Sequence, residues 1–197
     1  KLLRIDFEIP PLKIHLHKQI PVQAGLGGGS GNASGMLKLL NNHFQLAVSN
    51  EDMLAYAAVL GSDCPFFIEE KAAHISGRGE IINAIKLSLA DIHIAVVKAP
   101  VAMSTARAFQ LVNKSNTHLE DILLLKKEEY QKMMPNDFET SFHQELPEVT
   151  SIKDQLIKSG AFYASLSGSG SAVFALFHSK PIIKFDSTYF CWQGLLQ

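Results

Sequence analysis

The sequence predicts helices and strands interleaved in α/β or α+β layers, divided into two modest domains. Residues 12–18, LKIHLHK, alternate apolar and polar side chains, the period of a half-buried strand. An apolar stripe at helical spacing follows, formed by Ala33, Leu37, Leu40 and Phe44. The 197 residues contain no internal repeat and no low-complexity linker. We place the domain boundary in the loop at 87–91, which predicts domains at residues 1–88 and 89–197.

Composition excludes several classes of protein. Hydrophobic residues make up 47% of the chain, which is ordinary for a globular protein and excludes disordered and fibrous classes. The chain has 18 basic and 19 acidic residues and a formal net charge of −1, so no overall field attracts nucleic acid or an anionic membrane. Any phosphate must therefore be bound by local groups.

The two cysteines and the hydropathy predict a cytoplasmic protein. Cys64 and Cys191 lie far apart without metal-ligand spacing, which favours free thiols in a reducing compartment. No apolar run approaches the roughly 18 residues of a membrane span, and the first residues do not resemble a signal peptide. The chain begins with Lys1 rather than methionine, which suggests that an upstream segment is absent.

Further elements follow from caps and turn residues in the middle of the chain. Ser49 with Asp52 three positions later predicts a second helix that ends at Gly61. GSDCPFFI reads as a turn that leads into an apolar run, and HISGRGE reads as a glycine turn. DIHIAVVK predicts a buried strand that ends before Pro100, and Ser104 is placed to cap a short helix.

The last third of the sequence continues the alternation. A charged helix is predicted from about His118 to Met133, and Ile152, Leu156 and Gly160 mark another helix. Strands are expected on both sides of SLSGSGSA, and YFCWQGLL supplies a closing strand.

The glycine-rich stretch QAGLGGGSGNAS, residues 23–34, joins the first predicted strand to the first helix. The first amides of a helix have no partner within the helix, and glycines beside them let phosphate oxygens approach closely. The stretch therefore indicates a phosphate-binding loop. The alternative is a loop that needs glycine only for turning.

Common nucleotide-binding motifs do not match this stretch. A P-loop requires Gly-Lys before Ser or Thr, and the sequence contains no Gly-Lys pair. The dinucleotide pattern fails because Gly25 and Gly27 are followed at the sixth position by Ser30. A hydrolase elbow centred on Ser30 meets Asn32 where its last glycine belongs. The loop is of a different kind.

KQIPVQAGLGGGSGNAS resembles the second signature motif of the GHMP kinases. LGSDCPFFI, GRGE, APVAMSTARAF and SLSGSGSAVFALF resemble further blocks of that family, in the family's order, from about Lys13 to Phe177. Nothing in residues 1–12 resembles the family's first strand, which carries a Lys and an Asn. The resemblance therefore implies that the N-terminal segment of the first domain is missing and that the C-terminal domain is complete.

The resemblance implies an α+β GHMP kinase fold. Its N-terminal domain, like domain 2 of ribosomal protein S5, binds ATP and is truncated here to residues 1–88. Its C-terminal domain, at 89–197, is ferredoxin-like. The implied activity is ATP- and Mg²⁺-dependent phosphorylation of the 2-hydroxyl of a cytidylylated sugar alcohol in non-mevalonate isoprenoid biosynthesis. The alternatives are a homoserine or mevalonate type of GHMP kinase, or a non-catalytic nucleotide-binding remnant.

The resemblance also implies roles for residues of the first domain. Asp63 would be the catalytic base, although from the residues alone an aspartate before proline is more often a turn cap. Asn32 would lie in the phosphate loop, with a plain first-turn residue as the alternative. Lys18 would lie near the ATP base, or it is simply an edge-strand lysine. ATP phosphates would be bound at Gly25, Gly27, Gly28, Gly29 and Ser30, and Ser30 would also reach Mg²⁺.

In the second domain the resemblance implies a substrate site. Phe109 would stack on cytosine and Thr105, one helical turn earlier, would offer its hydroxyl nearby. Periodicity alone favours Phe109 as a core aromatic. Gly168 and Gly170 would let the backbone approach the bound nucleotide, or they form only a tight turn between strands.

Overall fold

The structure is a computed structural model, and it describes residues 1–77, 79, 81–101, 104–112, 125–139 and 145–197. Within these ranges it describes the backbone but not the side chains of Thr105, Leu111 and Glu128. The helices are α1 Gly28–Phe44, α2 Asn50–Leu60, α3 Cys64–Glu69, α4 Thr105–Leu111, α5 Tyr130–Met133 and α6 Pro147–Lys158. The strands are β1 Ala73–Ser76, β2 Ile81–Ala84, β3 His93–Lys98, β4 Tyr163–Leu166, β5 Val173–Phe177 and β6 Phe190–Leu195. Short 3₁₀ turns cover Leu2–Ile5 and Lys127–Glu129.

The chain divides into two compact units. The first contains Lys1–Ile20 and Gly27–Leu87, and the second contains Pro21–Leu26 and Ser88–Gln197. Residues 21–26, which include the first part of the glycine-rich stretch, therefore belong with the C-terminal part of the chain. The functional division at 88 and 89 stays a prediction.

Within its described residues, the first unit contains the helices α1, α2 and α3, the β1–β2 hairpin and one 3₁₀ turn. The apolar stripe predicted for the first helix is present on α1, where Leu37 is buried against Met53 and Ala57 of α2. The predicted cap of α2 is also confirmed, because the Ser49 hydroxyl accepts a hydrogen bond from the Asp52 amide at 3.1 Å. The glycine turn predicted in HISGRGE joins β1 to β2 in an antiparallel hairpin.

The second unit is built on a four-stranded antiparallel sheet in the order β4, β5, β3, β6. In chain order the strands of this unit are β3, β4, β5 and β6. Its first and third strands, β3 and β5, therefore lie at the centre of the sheet, and its second and fourth, β4 and β6, lie at the edges, as in a ferredoxin-like domain. Ile152 and Leu156 of α6 are fully buried in the core of the unit with Val97 and Val173. The α+β fold class is confirmed. Residues 178–189, which connect β5 to β6, contain no helix and no strand.

One local prediction in the first unit is wrong. LKIHLHK is not a strand, because no other strand within the described ranges pairs with it, and Leu12, Ile14 and Leu16 are exposed. Alternation sets which side chains share a face, but a strand also needs a neighbour to satisfy its backbone. The apolar run after Asp63 forms the short helix α3, with Pro65 in its first turn, where proline is favourable.

Of the charged helix predicted from about His118 to Met133, residues 118–124 lie outside the described residues, and residues 125–133 do not form one continuous helix. The latter contain the 3₁₀ turn Lys127–Glu129 and the single turn α5. Among the described helices, none is long and apolar enough to cross a bilayer.

Candidate active site

The glycine loop leads directly into α1. Gly27 is the N-cap residue with φ +62°, in the left-handed region that glycine adopts most easily. The helix is 17 residues long, and its first regular hydrogen bond runs from the Gly31 amide to the Gly27 carbonyl at 2.9 Å. The amides of Gly28, Gly29 and Ser30 precede that bond, so they have no partner within the helix. Together with the helix dipole, they make this end attractive to an anion.

The outer side of this first turn is open. A Cβ on Gly29 would have no heavy atom within 4 Å, and one on Gly28 would only touch the Ile20 side chain at 3.7 Å. Packing inside the folded chain therefore does not require glycine at these two positions. Ser30 is half-buried and Asn32 is exposed.

Phe67 of α3 packs against the other side of the loop. A Cβ on Gly27 would lie 2.6 Å from the Phe67 ring, and one on Gly31 would lie 3.4 Å from it. Gly27 therefore allows the close approach of the Phe67 ring, whereas a Cβ on Gly31 would make only an ordinary van der Waals contact with it. The sequence gives no local signal for this contact, because Phe67 belongs to a run that reads simply as core.

Asp63 is the N-cap residue of α3, but its side chain makes no capping hydrogen bond. The side chain is exposed, and the described part of the chain offers its carboxylate no hydrogen-bond or ion-pair partner. The turn-cap interpretation of this aspartate is therefore wrong. An exposed carboxylate that no described residue engages is available to accept a proton.

Ser34 fixes the backbone beside Asp63. This fully buried serine of α1 donates its hydroxyl hydrogen to the Cys64 carbonyl, 2.8 Å away. The helix that carries the loop amides and the turn that carries the carboxylate are therefore held together inside the first unit. Sequence reasoning missed this role of Ser34.

The first part of the glycine stretch packs against the second glycine-rich segment, SLSGSGSA at residues 165–172, within the second unit. The Ser167 hydroxyl donates to the Gly25 carbonyl at 2.9 Å, and the Ala172 amide donates to the Ala24 carbonyl at 3.0 Å. Gly168 is close enough that a Cβ there would lie 3.1 Å from the Gly25 carbonyl oxygen. Two motifs that are remote in sequence therefore form one backbone cluster.

Phe109 lies on α4 with 62% of its surface exposed, so the prediction of a core aromatic is wrong. Its ring meets the ring of Phe138 edge to face, with centroids 5.0 Å apart and an interplanar angle of 87°. The predicted cap of α4 is present, since the Ser104 hydroxyl accepts from the Arg107 amide at 3.2 Å. The side chain of Thr105 lies outside the described part of the structure.

The other predicted binding residues, Lys18 and Gly170, have less support from the geometry of the described chain. Lys18 is exposed in the segment before Pro21, which has no regular secondary structure. Gly170 has φ +79° in the turn between β4 and β5. Over the residues that the structure describes, no three His, Cys, Asp or Glu side chains cluster as a metal site would require.

Comparison with known protein families explains why these features occur together. The model of the GHMP kinase N-terminal domain matches residues 1–71, and the model of the GHMP kinase C-terminal domain matches residues 115–184. The two matches cover more than half of the chain and follow the family's order. The chain belongs to the GHMP kinases. Members of this family are ATP-dependent small-molecule kinases.

Two curated relatives of this GHMP kinase are similar over almost its whole length. The 4-diphosphocytidyl-2-C-methyl-D-erythritol kinase of Parabacteroides distasonis is 42% identical over 98% of this chain and 73% of its own length. The enzyme of the same name from Bacteroides fragilis is 42% identical over 100% of this chain and 73% of its own. The sequence-based assignment to this branch of the family is confirmed.

Solved structures agree with the fold of the kinase. A crystal structure of 4-(cytidine 5′-diphospho)-2C-methyl-D-erythritol kinase matches with a TM-score of 0.68 and 30% identity, over 81% of this chain and 59% of that one. A homoserine kinase from Cytophaga hutchinsonii matches with a TM-score of 0.64 at 15% identity, which shows the shared fold alone.

Proposed function

We propose that this GHMP kinase transfers the γ-phosphoryl group of ATP to the 2-hydroxyl of 4-diphosphocytidyl-2-C-methyl-D-erythritol, a step of non-mevalonate isoprenoid biosynthesis. The observation that carries the proposal is the 42% identity, over 98% and 100% of this chain, to two kinases named for that substrate. The exposed aromatic Phe109 adds chemical support, because a cytidylyl group offers a base for stacking.

The amides of Gly28, Gly29 and Ser30 bind the β- and γ-phosphates in this proposal. They lie at the N-terminus of a 17-residue helix whose first turn has open space outside Gly29. Anions bind at helix N-termini because unpaired N–H groups and the helix dipole both favour negative charge there. Gly25 and Gly27 shape the loop, and Asn32 lies on the second turn of α1. In this proposal Lys18 lies beside the base of ATP.

Asp63 acts as the general base toward the attacking hydroxyl. Its exposed carboxylate is not used for capping α3, and Ser34 fixes the neighbouring backbone through the Cys64 carbonyl. A positioned base contributes typically about a hundredfold to ten-thousandfold to a rate. The rest of phosphoryl transfer depends on alignment and on stabilising negative charge.

The second unit binds the cytidylyl group. Phe109 supplies a stacking face, and a stacked base contributes roughly 1–3 kcal/mol to binding. Thr105 offers a hydroxyl on the same helix. Gly168 and Gly170 let the backbone of the second glycine segment approach the bound nucleotide.

Ser30 is the residue proposed to reach Mg²⁺. A hydroxyl oxygen is a hard ligand of the type that this ion accepts, and Mg²⁺ in kinases usually takes few protein ligands beside phosphates and water. The ion, when bound with ATP, neutralises charge on the phosphates. We also propose a cytoplasmic location, which the two free cysteines, Cys64 and Cys191, support.

Measurement of ADP release with a panel of alcohols tests the proposal. The protein is incubated with ATP, Mg²⁺ and either the cytidylylated alcohol, homoserine or mevalonate. We expect the highest kcat/KM for the cytidylylated alcohol, with the phosphorylated product confirmed by mass spectrometry. A preference for homoserine or mevalonate would assign the chain to another GHMP specificity. ATP binding without turnover of any alcohol would indicate a nucleotide-binding remnant.

A further inference from the structure

Asn136 holds the end of β4 through its side chain. Its amide nitrogen donates hydrogen bonds to the Leu166 and Gly168 carbonyls, both at 2.9 Å. Its amide oxygen accepts a hydrogen bond from the Phe138 backbone, also at 2.9 Å. The Asn136 side chain therefore connects the turn at Gly168 to the backbone around residue 136, about thirty positions earlier in the chain.

Glu139 holds the same strand end. Its Oε1 accepts hydrogen bonds from the Leu166 amide at 2.9 Å and from the Ser165 hydroxyl at 3.1 Å. Lys153 of α6 pairs with its other oxygen, and both side chains of this ion pair are about three-quarters buried. Since β4 is an edge strand of the sheet, these side chains replace the missing neighbour on its outer side.

Phe138 lies between these two residues in sequence and contacts Phe109 edge to face at 5.0 Å. Because 62% of Phe109 is exposed, a side-chain contact of this kind limits the orientations of its ring. We name Asn136–Glu139 the clamp segment. It contacts the glycine turn through Asn136 and the exposed aromatic ring through Phe138.

We propose that the clamp segment positions the Phe109 ring and the Gly168 turn relative to each other, and thereby sets the affinity for the cytidylyl group. This inference rests on the proposed function, because it deepens the role given there to Phe109 and Gly168. Asn136 and Phe138 are positioning residues: they act through the groups that would touch the substrate.

The Asn136→Asp variant tests the amide donors. Aspartate keeps an oxygen that can accept from the Phe138 amide, but it cannot donate to the two carbonyls. Asn41→Asp is the matched control. The Asn41 side chain also accepts a hydrogen bond from a backbone amide, that of Val48 at 3.0 Å, and donates one to the Val48 carbonyl. It lies near the C-terminal end of α1, in the other unit. We expect Asn136→Asp to raise KM for the cytidylylated alcohol about tenfold and KM for ATP less than twofold. Asn41→Asp should change neither KM.

Phe138→Leu and Phe138→Tyr test the ring contact. Leucine preserves apolar burial but removes the aromatic edge, whereas tyrosine keeps the ring. An aromatic pair of this geometry corresponds to about a two- to tenfold effect. We expect Phe138→Leu to raise KM for the cytidylylated alcohol about two- to tenfold. Phe138→Tyr should keep KM for the same alcohol at the wild-type value.

The split between the two KM values decides the inference. Equal increases in KM for ATP and for the alcohol, or a lowered melting temperature with both KM values unchanged, would show that the segment only covers the sheet edge and would overturn it. Failure of the proposed function is seen separately, in the wild-type protein, as a preference for another alcohol. That result would overturn the inference as well, but before any variant is measured.

Discussion

The Ser167 hydroxyl donates a hydrogen bond to the Gly25 carbonyl oxygen, 2.9 Å away, although the two residues are 142 positions apart. The contact is so close that a Cβ on Gly25 would lie 1.8 Å from the Ser167 carbonyl oxygen. The glycine stretch therefore has two tasks. Its first part packs against the second glycine motif, and its last part opens a helix.

Gly25→Ala should destabilise the second unit by at least about 2 kcal/mol. Gly25 has φ +73°, where a side chain is strained, and the atom that its Cβ would meet is backbone, which cannot move aside easily. Urea unfolding followed by circular dichroism measures the change.

Gly35→Ala is the control for this substitution. Gly35 lies within α1, and a Cβ there has nothing within 4 Å. It should stabilise the chain by up to about 1 kcal/mol because alanine is the better helix former. Equal urea midpoints for Gly25→Ala and wild type would show that the packing of Gly25 against Ser167 is not required.

The sequence was sufficient for elements whose signals are local. α1 and α2 follow from an apolar stripe and from the Ser49 cap, which depend on residues three or four positions apart. β3 could be predicted because it is a continuous apolar run bounded by a proline. The glycine loop could also be placed correctly, between Pro21 and a helix.

Features that depend on distant partners could not be predicted. Residues 12–18 have a strand-like pattern, but pattern alone does not supply a neighbouring strand. The exposure of Phe109 depends on where α4 packs, and the role of Asn136 depends on carbonyls 30 and 32 positions away. The lack of a cap bond at Asp63 is likewise a property of side-chain geometry rather than of residue type.

Gly29→Ala should weaken ATP binding without destabilising the fold. The new methyl group fits in the folded chain, where nothing lies within 4 Å, but it occupies the space through which phosphate oxygens reach the first amides of α1. We expect KM for ATP to rise about tenfold, while the melting temperature stays the same or rises by about 2–4 °C. Gly35→Ala should raise the melting temperature similarly and leave KM for ATP unchanged. A Gly29→Ala enzyme with wild-type KM would argue against phosphate binding at these amides.

The Tyr56 hydroxyl donates to the Asp6 carboxylate at 2.6 Å, which raises the pKa of Tyr56 to about 12. Because the folded pKa is above the ordinary value of 10.0, this contact stabilises the fold fully below pH 10, and the contribution is lost as pH rises toward 12. The free energy of unfolding of wild type should therefore approach that of Tyr56→Phe between pH 10 and 12. A difference that stays constant across this window would contradict the assigned pKa.

Asp63→Asn gives the most direct test of the account, with Asp154→Asn, an exposed aspartate of α6, as the control. Formation of the phosphorylated cytidylyl alcohol is measured at saturating ATP, together with KM for ATP and the melting temperature. We expect Asp63→Asn to lower kcat by about a hundredfold to ten-thousandfold, with KM for ATP and the melting temperature unchanged, and Asp154→Asn to match wild type. Asp63→Asn enzyme that phosphorylates the cytidylyl alcohol at the wild-type rate would contradict the central claim.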